Sequence, residues 1–116
     1  MKHILKVFEV ISDANRLRIL KLLELKEFCV CELAAILGIT QPSVSRHLKK
    51  LKAAGLIRSG QNGFWTDYCL SKPDDSCGKV LMSNIRSWLN DDPVVRRDRL
   101  KAGQVNRARL CCRKGI

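Results

Sequence analysis

The sequence predicts a winged helix-turn-helix fold, mainly α-helical with one small β-hairpin, in the order α-α-α-α-β-β-α. Three observations predict it: a tight turn over residues 38–40 between two apolar-faced segments, a basic face on the second segment, and an Asn-Gly pair between two β-prone runs. The chain has 116 residues, enough for one domain with a tail and too few for two enzyme-sized lobes. A deep substrate cleft is therefore not expected.

Helical spacing of apolar residues recurs three times before residue 38. Ser12 and Asp13 offer an N-cap for the second helix, and Gly38 suits the position just after the third. These signals predict three helices in succession. Their apolar positions are Ile4, Leu5, Phe8 and Ile11 in the first; Leu17, Ile19, Leu20 and Leu23 in the second; and Val30, Leu33, Ala34 and Leu37 in the third.

The fourth helix begins directly after the tight turn. Thr40 predicts its N-cap, Pro42 is tolerated in its first turn, and Gly55 closes it. Its apolar stripe, at i, i+4 and i+7, consists of Val44, Leu48 and Leu51. Two helices joined by so short a turn predict a helix-turn-helix.

The following segments predict a β-hairpin, the wing, and a fifth helix. Residues 56–58 and 64–70 are β-prone, and the loop predicted between them contains Asn62-Gly63, two residues that tolerate positive φ. The fifth helix is expected from about residue 74 to residue 90. After Pro93 the apolar residues are sparse, which predicts a solvated helix or a tail that orders on a partner. The apolar positions of the fifth helix are Val80, Leu81, Ile85, Trp88 and Leu89.

The net charge is concentrated in two segments. Lys and Arg total 22 against 11 Asp and Glu, a formal charge of +11. Residues 41–54 carry +4 and residues 93–116 carry +7, while the rest of the chain is neutral overall. Charge placed in this way indicates surfaces for a polyanion, and the fourth helix has the side chains that a DNA major groove requires. The alternative is a solvated basic face without a partner.

The candidate contacts to double-stranded DNA divide by role. Side chains near the N-terminus of the fourth helix are expected to face base edges, and the lysines further along it to contact phosphates. Two wing residues can hold the flanking backbone, and His47 either packs within the protein or contacts a phosphate. The remaining candidates are Gln41, Ser43, Ser45 and Arg46 at the front of the helix, Lys49, Lys50 and Lys52 further along it, and Arg58 and Asn62 on the wing.

One winged helix covers a single half-site, so we expect a homodimer to supply the second. The first and fifth helices are the remaining apolar-faced elements, and we assign them to a two-fold interface; alternatively, their apolar stripes complete the monomer core. We predict residues 1–92 as the dimerisation and DNA-binding domain and residues 93–116 as a basic C-terminal tail or helix with a cysteine pair.

Six cysteines occur in a chain whose hydrophobic content of 46% can build a core without disulfides. The first residues do not resemble a secretory signal, and no apolar run has the length of a membrane span. We therefore expect a protein of the reducing cytoplasm without a membrane partner, in which cysteines are more often reactive or metal-binding than disulfide-bonded.

Three motifs carry a family resemblance: Phe28-Cys29-Val30-Cys31-Glu32-Leu33-Ala34, Gln41-Pro42-Ser43-Val44-Ser45-Arg46-His47-Leu48 and Ala54-Gly55-Leu56-Ile57. Over roughly residues 3–90 the chain resembles the ArsR/SmtB family of metal-sensing repressors. Within that family it is most similar to the arsenical-resistance repressors and their cadmium- and lead-sensing relatives. The resemblance implies a homodimeric repressor that leaves its operator when a thiophilic ion binds, with the first and last core helices forming the dimer.

The chain departs from the family pattern in its metal ligands. The arsenical repressors have a third cysteine where Ala34 stands, and the cadmium sensors have N-terminal cysteines that residues 1–28 lack. The family's zinc site of Asp and His residues has no match, because the only histidines are His3 and His47. The resemblance therefore implies an incomplete thiol site.

Four cysteines are the candidate metal ligands: Cys29 and Cys31 from the motif, and Cys111 and Cys112 from the tail. Two adjacent thiols in a polar segment have no packing reason to be there, and the basic residues beside them favour thiolates. The tail pair either completes the first site or senses alone. The remaining two, Cys69 and Cys77, are expected to be small core residues.

An all-thiolate site suits soft ions. As(III) or Sb(III) is the leading inducer, followed by Cd(II) or Pb(II), and Zn(II) fits if two cysteine pairs meet. Residues i and i+2 of a helix point about 200° apart, so Cys29 and Cys31 are not expected to bind one atom while that turn is helical. Binding should then distort the start of the third helix, which supports the fourth.

Two further functions stay open at this point. In the first, the thiols of the same repressor act as a redox switch. In the second, which belongs to another class, the chain is a small thiol enzyme or a metal carrier. The sequence has no Cys-x-x-Cys, no acid-base pair of recognisable spacing and no glycine-rich phosphate loop, so we predict that it is not an enzyme.

Overall fold

A computed structural model describes residues 1–110. Its elements are α1 (Lys2–Ile11), α2 (Ala14–Leu23), α3 (Val30–Leu37), α4 (Gln41–Ala53), β1 (Ile57–Asn62), β2 (Trp65–Leu70), α5 (Ser76–Ser87), α6 (Pro93–Ala102) and α7 (Arg107–Leu110). The predicted winged helix-turn-helix and its α-α-α-α-β-β-α order are confirmed, with two more helices after α5. None of the helices in this part of the chain is long and apolar enough to span a membrane.

Local capping determines where the central helices begin and end. The Asp13 side chain accepts a hydrogen bond from the Arg16 amide at 3.1 Å, and Thr40 Oγ1 accepts one from the Ser43 amide at 3.3 Å. Gly38, directly after α3, has a φ of +73°, which glycine adopts without a steric cost from Cβ. These contacts confirm the predicted starts of α2 and α4 and the predicted end of α3.

The hydrophobic core lies between α2, α3 and α4. α3 and α4 pack together as the two helices of the helix-turn-helix, and α2 contacts both. The predicted stripe residues of α4, Val44, Leu48 and Leu51, are all buried. Each fully buried side chain of this size contributes about 1.5–3 kcal/mol, so the stripe fixes α4 on its support.

The hairpin loop is shorter than the sequence predicted. The antiparallel register ends at Asn62 opposite Trp65, which leaves Gly63 and Phe64 as a two-residue loop. The sequence predicted a loop over residues 59–63. This is wrong for residues 59–62, which belong to strand β1, and only Gly63 lies in the loop. Of the Asn-Gly pair, only Gly63 has a positive φ, +64°. This matches a type II′ turn, which needs a positive φ at its first loop position.

α5 is shorter than the predicted range of 74–90. Asp75 is its N-cap, and the side chain accepts a hydrogen bond from the Gly78 amide at 2.9 Å. The helix ends at Ser87. The apolar positions predicted for it divide between the core and the surface: Leu81 and Ile85 are buried, and Val80, Trp88 and Leu89 are exposed.

Residues 93–102 form a helix, α6, that packs against α2 and α3. The prediction of a solvated helix or a tail is wrong for this range. Asp98 on α6 is 1% exposed, and it accepts hydrogen bonds from Arg18 Nε at 2.8 Å and Nη2 at 2.9 Å. Burying a carboxylate without a partner costs free energy, and the two hydrogen bonds from Arg18 compensate this cost for Asp98. Val95 and Ala102 complete the buried side of the helix.

Candidate functional site

The two motif cysteines converge at the N-terminus of α3. Cys29 is the N-cap of that helix, with an extended backbone at φ −95° and ψ 172°, and Cys31 lies in its first turn. Their Sγ atoms are 3.2 Å apart. The expectation that the two side chains diverge is wrong, because Cys29 lies outside the helix. Both sulfurs therefore reach one point while α3 keeps its helical turn.

Two acidic side chains lie beside Cys29. Cys29 and Cys31 are 3% and 6% exposed. The Glu32 carboxylate accepts a hydrogen bond from the Cys29 amide at 3.0 Å, as in one half of a capping box. Within residues 1–110, one group of three side chains places its ligand atoms within 4.8 Å of one another: Cys29, Glu32 and Asp67, all buried.

Burial is the main cause that raises the pKa of the Cys29 thiol above its ordinary value. The backbone amide of Glu32 lowers this pKa, whereas the nearby Glu32 carboxylate raises it. The nearby Arg107 guanidinium lowers the pKa and so opposes the rise. The net direction is upward, so Cys29 is a protonated thiol near pH 7 until an ion replaces the proton.

The separation of the two sulfurs tests which ions fit between them. With ion–sulfur bonds of about 2.3 Å, two sulfurs bound to one tetrahedral Zn²⁺ are about 3.8 Å apart. The observed separation of 3.2 Å is shorter, and with the same bonds of about 2.3 Å it corresponds to a sulfur–ion–sulfur angle near 90°. Angles of this size are typical of pyramidal ions that keep a lone pair, such as As(III), Sb(III) and Pb(II).

The other cysteines lie apart from this three-residue group. Cys69, on β2, is half-buried and accepts a hydrogen bond from Arg58 Nε at 3.2 Å. Cys77 is half-buried in the first turn of α5. Cys111 and Cys112 lie outside the described residues, so their role as ligands stays a prediction.

The wing contacts the thiol site directly. Phe28, the residue before the pair, exchanges two backbone hydrogen bonds with Tyr68 of β2, at 2.8 and 3.2 Å. Asp67 precedes Tyr68 and turns its carboxylate to Arg107 on α7. Sequence reasoning missed both charged residues: a lone acid within a β-prone run is a weak signal for Asp67, and nothing distinguishes Arg107 from the other basic residues around it.

The candidate DNA contacts lie together on α4 and the wing. The side chains at the start of α4 are linked to one another: Thr40 Oγ1 donates to Ser43 Oγ at 3.0 Å, and so does Arg46 Nη2 at the same distance. Lys52 Nζ donates to Ser59 Oγ on β1 at 2.8 Å and so joins α4 to the wing. The candidates exposed to solvent are Gln41, Ser45, Arg46, Lys49, Lys50, Lys52, Arg58 and Asn62, while Ser43 and His47 are half-buried.

His47 is held from within the protein. Arg16 Nη1 lies 3.3 Å from His47 Nδ1, and the same guanidinium donates to the carbonyls of Val10 and Glu9 at the end of α1. Arginine cannot accept a hydrogen bond, so Nδ1 is the acceptor and the neutral ring carries its proton on Nε2. Burial is the largest cause that lowers the pKa of His47. Of the two roles expected for this residue, the contact with Arg16 favours packing within the protein.

The sequence is similar to known transcription regulators. The family model described as "Bacterial regulatory protein, arsR family" matches residues 13–59. The arsenical resistance operon repressor of Escherichia coli is 43% identical over 68 residues, which span 58% of this chain and 58% of that protein. The arsenic resistance transcriptional regulator ArsR2 of Pseudomonas putida is 34% identical over 113 residues, covering 91% of this chain and 95% of its relative.

A solved structure has the same fold. It is the homodimeric winged helix-turn-helix DNA-binding domain Mb0332 from Mycobacterium bovis, described as a possible ArsR-family transcriptional regulator. The two structures align with a TM-score of 0.63 at 22% sequence identity, covering 79% of this chain and 82% of that chain. At this identity the likeness supports the fold alone.

Proposed function

Because the chain belongs to the ArsR family of bacterial regulatory proteins, we propose that it is a metalloid-responsive transcriptional repressor of the cytoplasm. A homodimer binds operator DNA and releases it when As(III) or Sb(III) binds cysteine thiolates. The observation that carries this proposal is the convergence of Cys29 Sγ and Cys31 Sγ to 3.2 Å. The relatives are transcriptional regulators, so the thiol-enzyme alternative is set aside.

The DNA-binding surface of the proposal is α4 together with the wing. The linked side chains at the start of α4 are preorganised to enter a major groove, with Arg46 and Gln41 reaching base edges. Lys49 and Lys50 are exposed further along the helix, where a phosphate backbone would pass. Arg58 and Asn62 on the wing hold the flanking backbone.

The dimer interface of the proposal is formed by α1 and α5. Each helix buries part of its apolar face in the core and leaves the rest in solvent. Exposed apolar residues on two helices of one subunit favour a two-fold partner, which also supplies the second DNA half-site. The residues are Leu5 and Phe8 on α1, Val80 on α5, and Trp88 and Leu89 directly after it.

The inducer site of the proposal begins with Cys29 and Cys31. Their separation fits pyramidal As(III) or Sb(III), and Pb(II) has the same preference. Cd(II) or Zn(II) requires more ligands and a wider spacing. Cys111 and Cys112 either complete this site or form a second one, and variants of each pair separate these two arrangements.

An inducer at Cys29 acts on two parts of the DNA-binding surface. The first is α4, which packs on α3. The second is the wing, whose strand β2 is hydrogen-bonded to the backbone of Phe28. The ion lowers the affinity for DNA only if it binds the DNA-free arrangement of the protein more tightly than the DNA-bound one. A shift of the Cys29 sulfur toward an ion moves both elements relative to the second half-site.

Thiol oxidation is the second candidate signal, and the free Cys29 thiol within the site favours it. In that case two thiols and one hydrogen peroxide give a disulfide and two waters, and the disulfide lowers DNA affinity. Arsenite and peroxide distinguish the two candidates when a monothiol keeps the protein reduced. Under that condition arsenite should still release DNA, whereas peroxide should not.

A gel-shift experiment tests the proposal. The probe is a duplex selected for binding from a random pool, and binding is measured at several salt concentrations because phosphate contacts are salt-sensitive. Arsenite should release the probe from the wild type but not from the Cys29→Ser/Cys31→Ser variant, which still binds DNA. The Cys77→Ser variant is the matched control and should respond like the wild type. Release that survives in the first variant but is lost in Cys111→Ser/Cys112→Ser assigns sensing to the tail.

A further inference from the structure

Arg107, on α7, lies between the thiol site and the wing. Its Nη1 donates to Asp67 Oδ1 at 2.5 Å, and its Cζ is 4.4 Å from the centre of the Trp65 ring. Both partners belong to β2. A charged hydrogen bond combined with a cation–π contact fixes the guanidinium on the strand more firmly than either alone.

The same guanidinium also lies beside the thiol site. Cys29 Sγ and an Asp67 carboxylate oxygen lie within 4.8 Å of each other, and Arg107, hydrogen-bonded to that Asp67 carboxylate, lowers the pKa of the Cys29 thiol. Glu32 and Asp67 are both buried, so two carboxylates share this region. A buried carboxylate without a partner is costly, and Arg107 is the cation that compensates Asp67.

The contact continues from Asp67 to the hairpin loop. Asp67 Oδ2 accepts a hydrogen bond from Asn62 Nδ2 at 3.1 Å. Asn62 is the last residue of β1, and in the proposed function it contacts the DNA backbone. Four side chains thus form a series from the thiol site to the DNA-binding surface: Cys29, Arg107, Asp67 and Asn62.

We propose that Arg107 is a positioning residue that couples occupation of Cys29 to the position of the wing, an inference that rests on the proposed function. An ion bound to Cys29 occupies the sulfur electrons that attract the nearby guanidinium, so Arg107 loses that attraction. Within residues 1–110, its other side-chain contacts are with Asp67 and Trp65, both on β2. The side chain then shifts with Asp67, and Asn62 leaves the position in which it contacts DNA.

Three variants test the coupling in the full chain. Arg107→Gln removes the charge, Arg107→Lys keeps the charge but loses the planar stacking on Trp65, and Arg97→Gln makes the same charge change at an exposed site on α6. The measured quantity is the ratio of DNA dissociation constants with and without arsenite. We expect Arg107→Gln to reduce this ratio at least about threefold, Arg107→Lys to restore part of it, and Arg97→Gln to leave it unchanged.

Tryptophan fluorescence supplies a readout that a merely structural role would not change. The chain has two tryptophans, so a Trp88→Phe background isolates Trp65 next to Arg107. Arsenite should shift the Trp65 emission when Arg107 is present and leave it unchanged in Arg107→Gln. Arsenite affinity, measured by competition with a coloured thiol ligand, should stay within about twofold, because Arg107 does not bind the ion.

The outcomes separate the two proposals. If arsenite releases DNA from the wild type and the affinity ratio of Arg107→Gln is unchanged, the coupling role of Arg107 is wrong and the proposed function stands. If arsenite does not release DNA from the wild type, both are overturned. Urea unfolding identifies a variant that fails to fold, and in that case Arg107→Lys, with its charge retained, decides the result.

Discussion

The Tyr68 amide donates a hydrogen bond to the Phe28 carbonyl at 2.8 Å, and the Phe28 amide donates to the Tyr68 carbonyl at 3.2 Å. The residue before the cysteine pair is thereby attached to the wing, although 40 positions separate the two in sequence. The backbone next to Cys29 is therefore joined to β2 without any side chain. The thiol site and the wing are neighbours in space.

The ion pair between α2 and α6 predicts a large loss of stability on substitution. Asp98→Ala leaves Arg18 without its partner, and breaking a buried pair costs about 3 kcal/mol. Urea unfolding measures this free energy, with Asp91→Ala, an exposed acidic residue just before α6, as the control. If both variants unfold at the same urea concentration, α6 is not anchored by this pair.

The DNA-binding surface predicts different effects for two basic residues of α4. Arg46→Ala should weaken binding by about 1–3 kcal/mol and reduce discrimination between sequences, because this side chain is placed to reach a base edge. Lys49→Ala should weaken binding to all duplexes equally and lower the salt slope by about one, because it contacts a phosphate. Gel shifts on the selected and a scrambled duplex measure both. Equal loss of discrimination in the two variants would contradict these roles.

His47 predicts a dependence of stability on pH. Burial is the main cause that lowers its pKa; Asp13 opposes this, and Arg16, Lys50 and Arg46 lower the pKa further. The folded-state pKa is below the unfolded one, so the neutral ring contributes its full stability above about pH 6.5, and the contribution is lost as the pH falls through the folded-state pKa.

His47→Gln removes this titration. The variant should therefore lose less stability than the wild type when the pH is lowered from about 7.5 to about 5. Urea midpoints at the two pH values measure the difference. An acid sensitivity as large as that of the wild type would show that His47 does not contribute in this range.

The apolar surface of α1 predicts that dimerisation can be removed without unfolding the subunit. Phe8 is 51% exposed and Leu5 is 58% exposed, so Phe8→Asp introduces a charge at the proposed interface and spares the core. We expect a monomer by sedimentation and weaker binding to a two-half-site duplex. Phe64→Asp at the exposed hairpin loop is the control, and it should remain a dimer. A dimeric Phe8→Asp protein would place the interface elsewhere.

The sequence predicted those features that depend on neighbouring residues. The caps at Asp13 and Thr40, the glycine turn at Gly38 and the stripe of α4 are local, so spacing and residue type are sufficient to predict them. The hairpin loop is shorter than predicted, because the Asn-Gly signal does not specify which of its residues ends the strand.

The features that the sequence did not predict arise from contacts between distant residues. Arg18 pairs with Asp98 across 80 positions and Arg107 with Asp67 across 40, and neither pair has a local pattern. The sequence does not predict the convergence of Cys29 and Cys31, because cysteine is an unusual N-cap and the motif alone predicts a helix throughout. Two side chains that are two residues apart diverge when both lie within a helix, but they can meet when the first of them is the N-cap.

In the proposed function, the inducer binds at Cys29 and Cys31. X-ray absorption at the arsenic edge counts the sulfur atoms bound to As(III) in the reduced protein, and it is independent of DNA binding. We expect Cys29→Ser and Cys31→Ser each to remove one sulfur from the arsenic shell of the wild type, and Cys77→Ser to remove none. An unchanged sulfur count in both of the first two variants would contradict it.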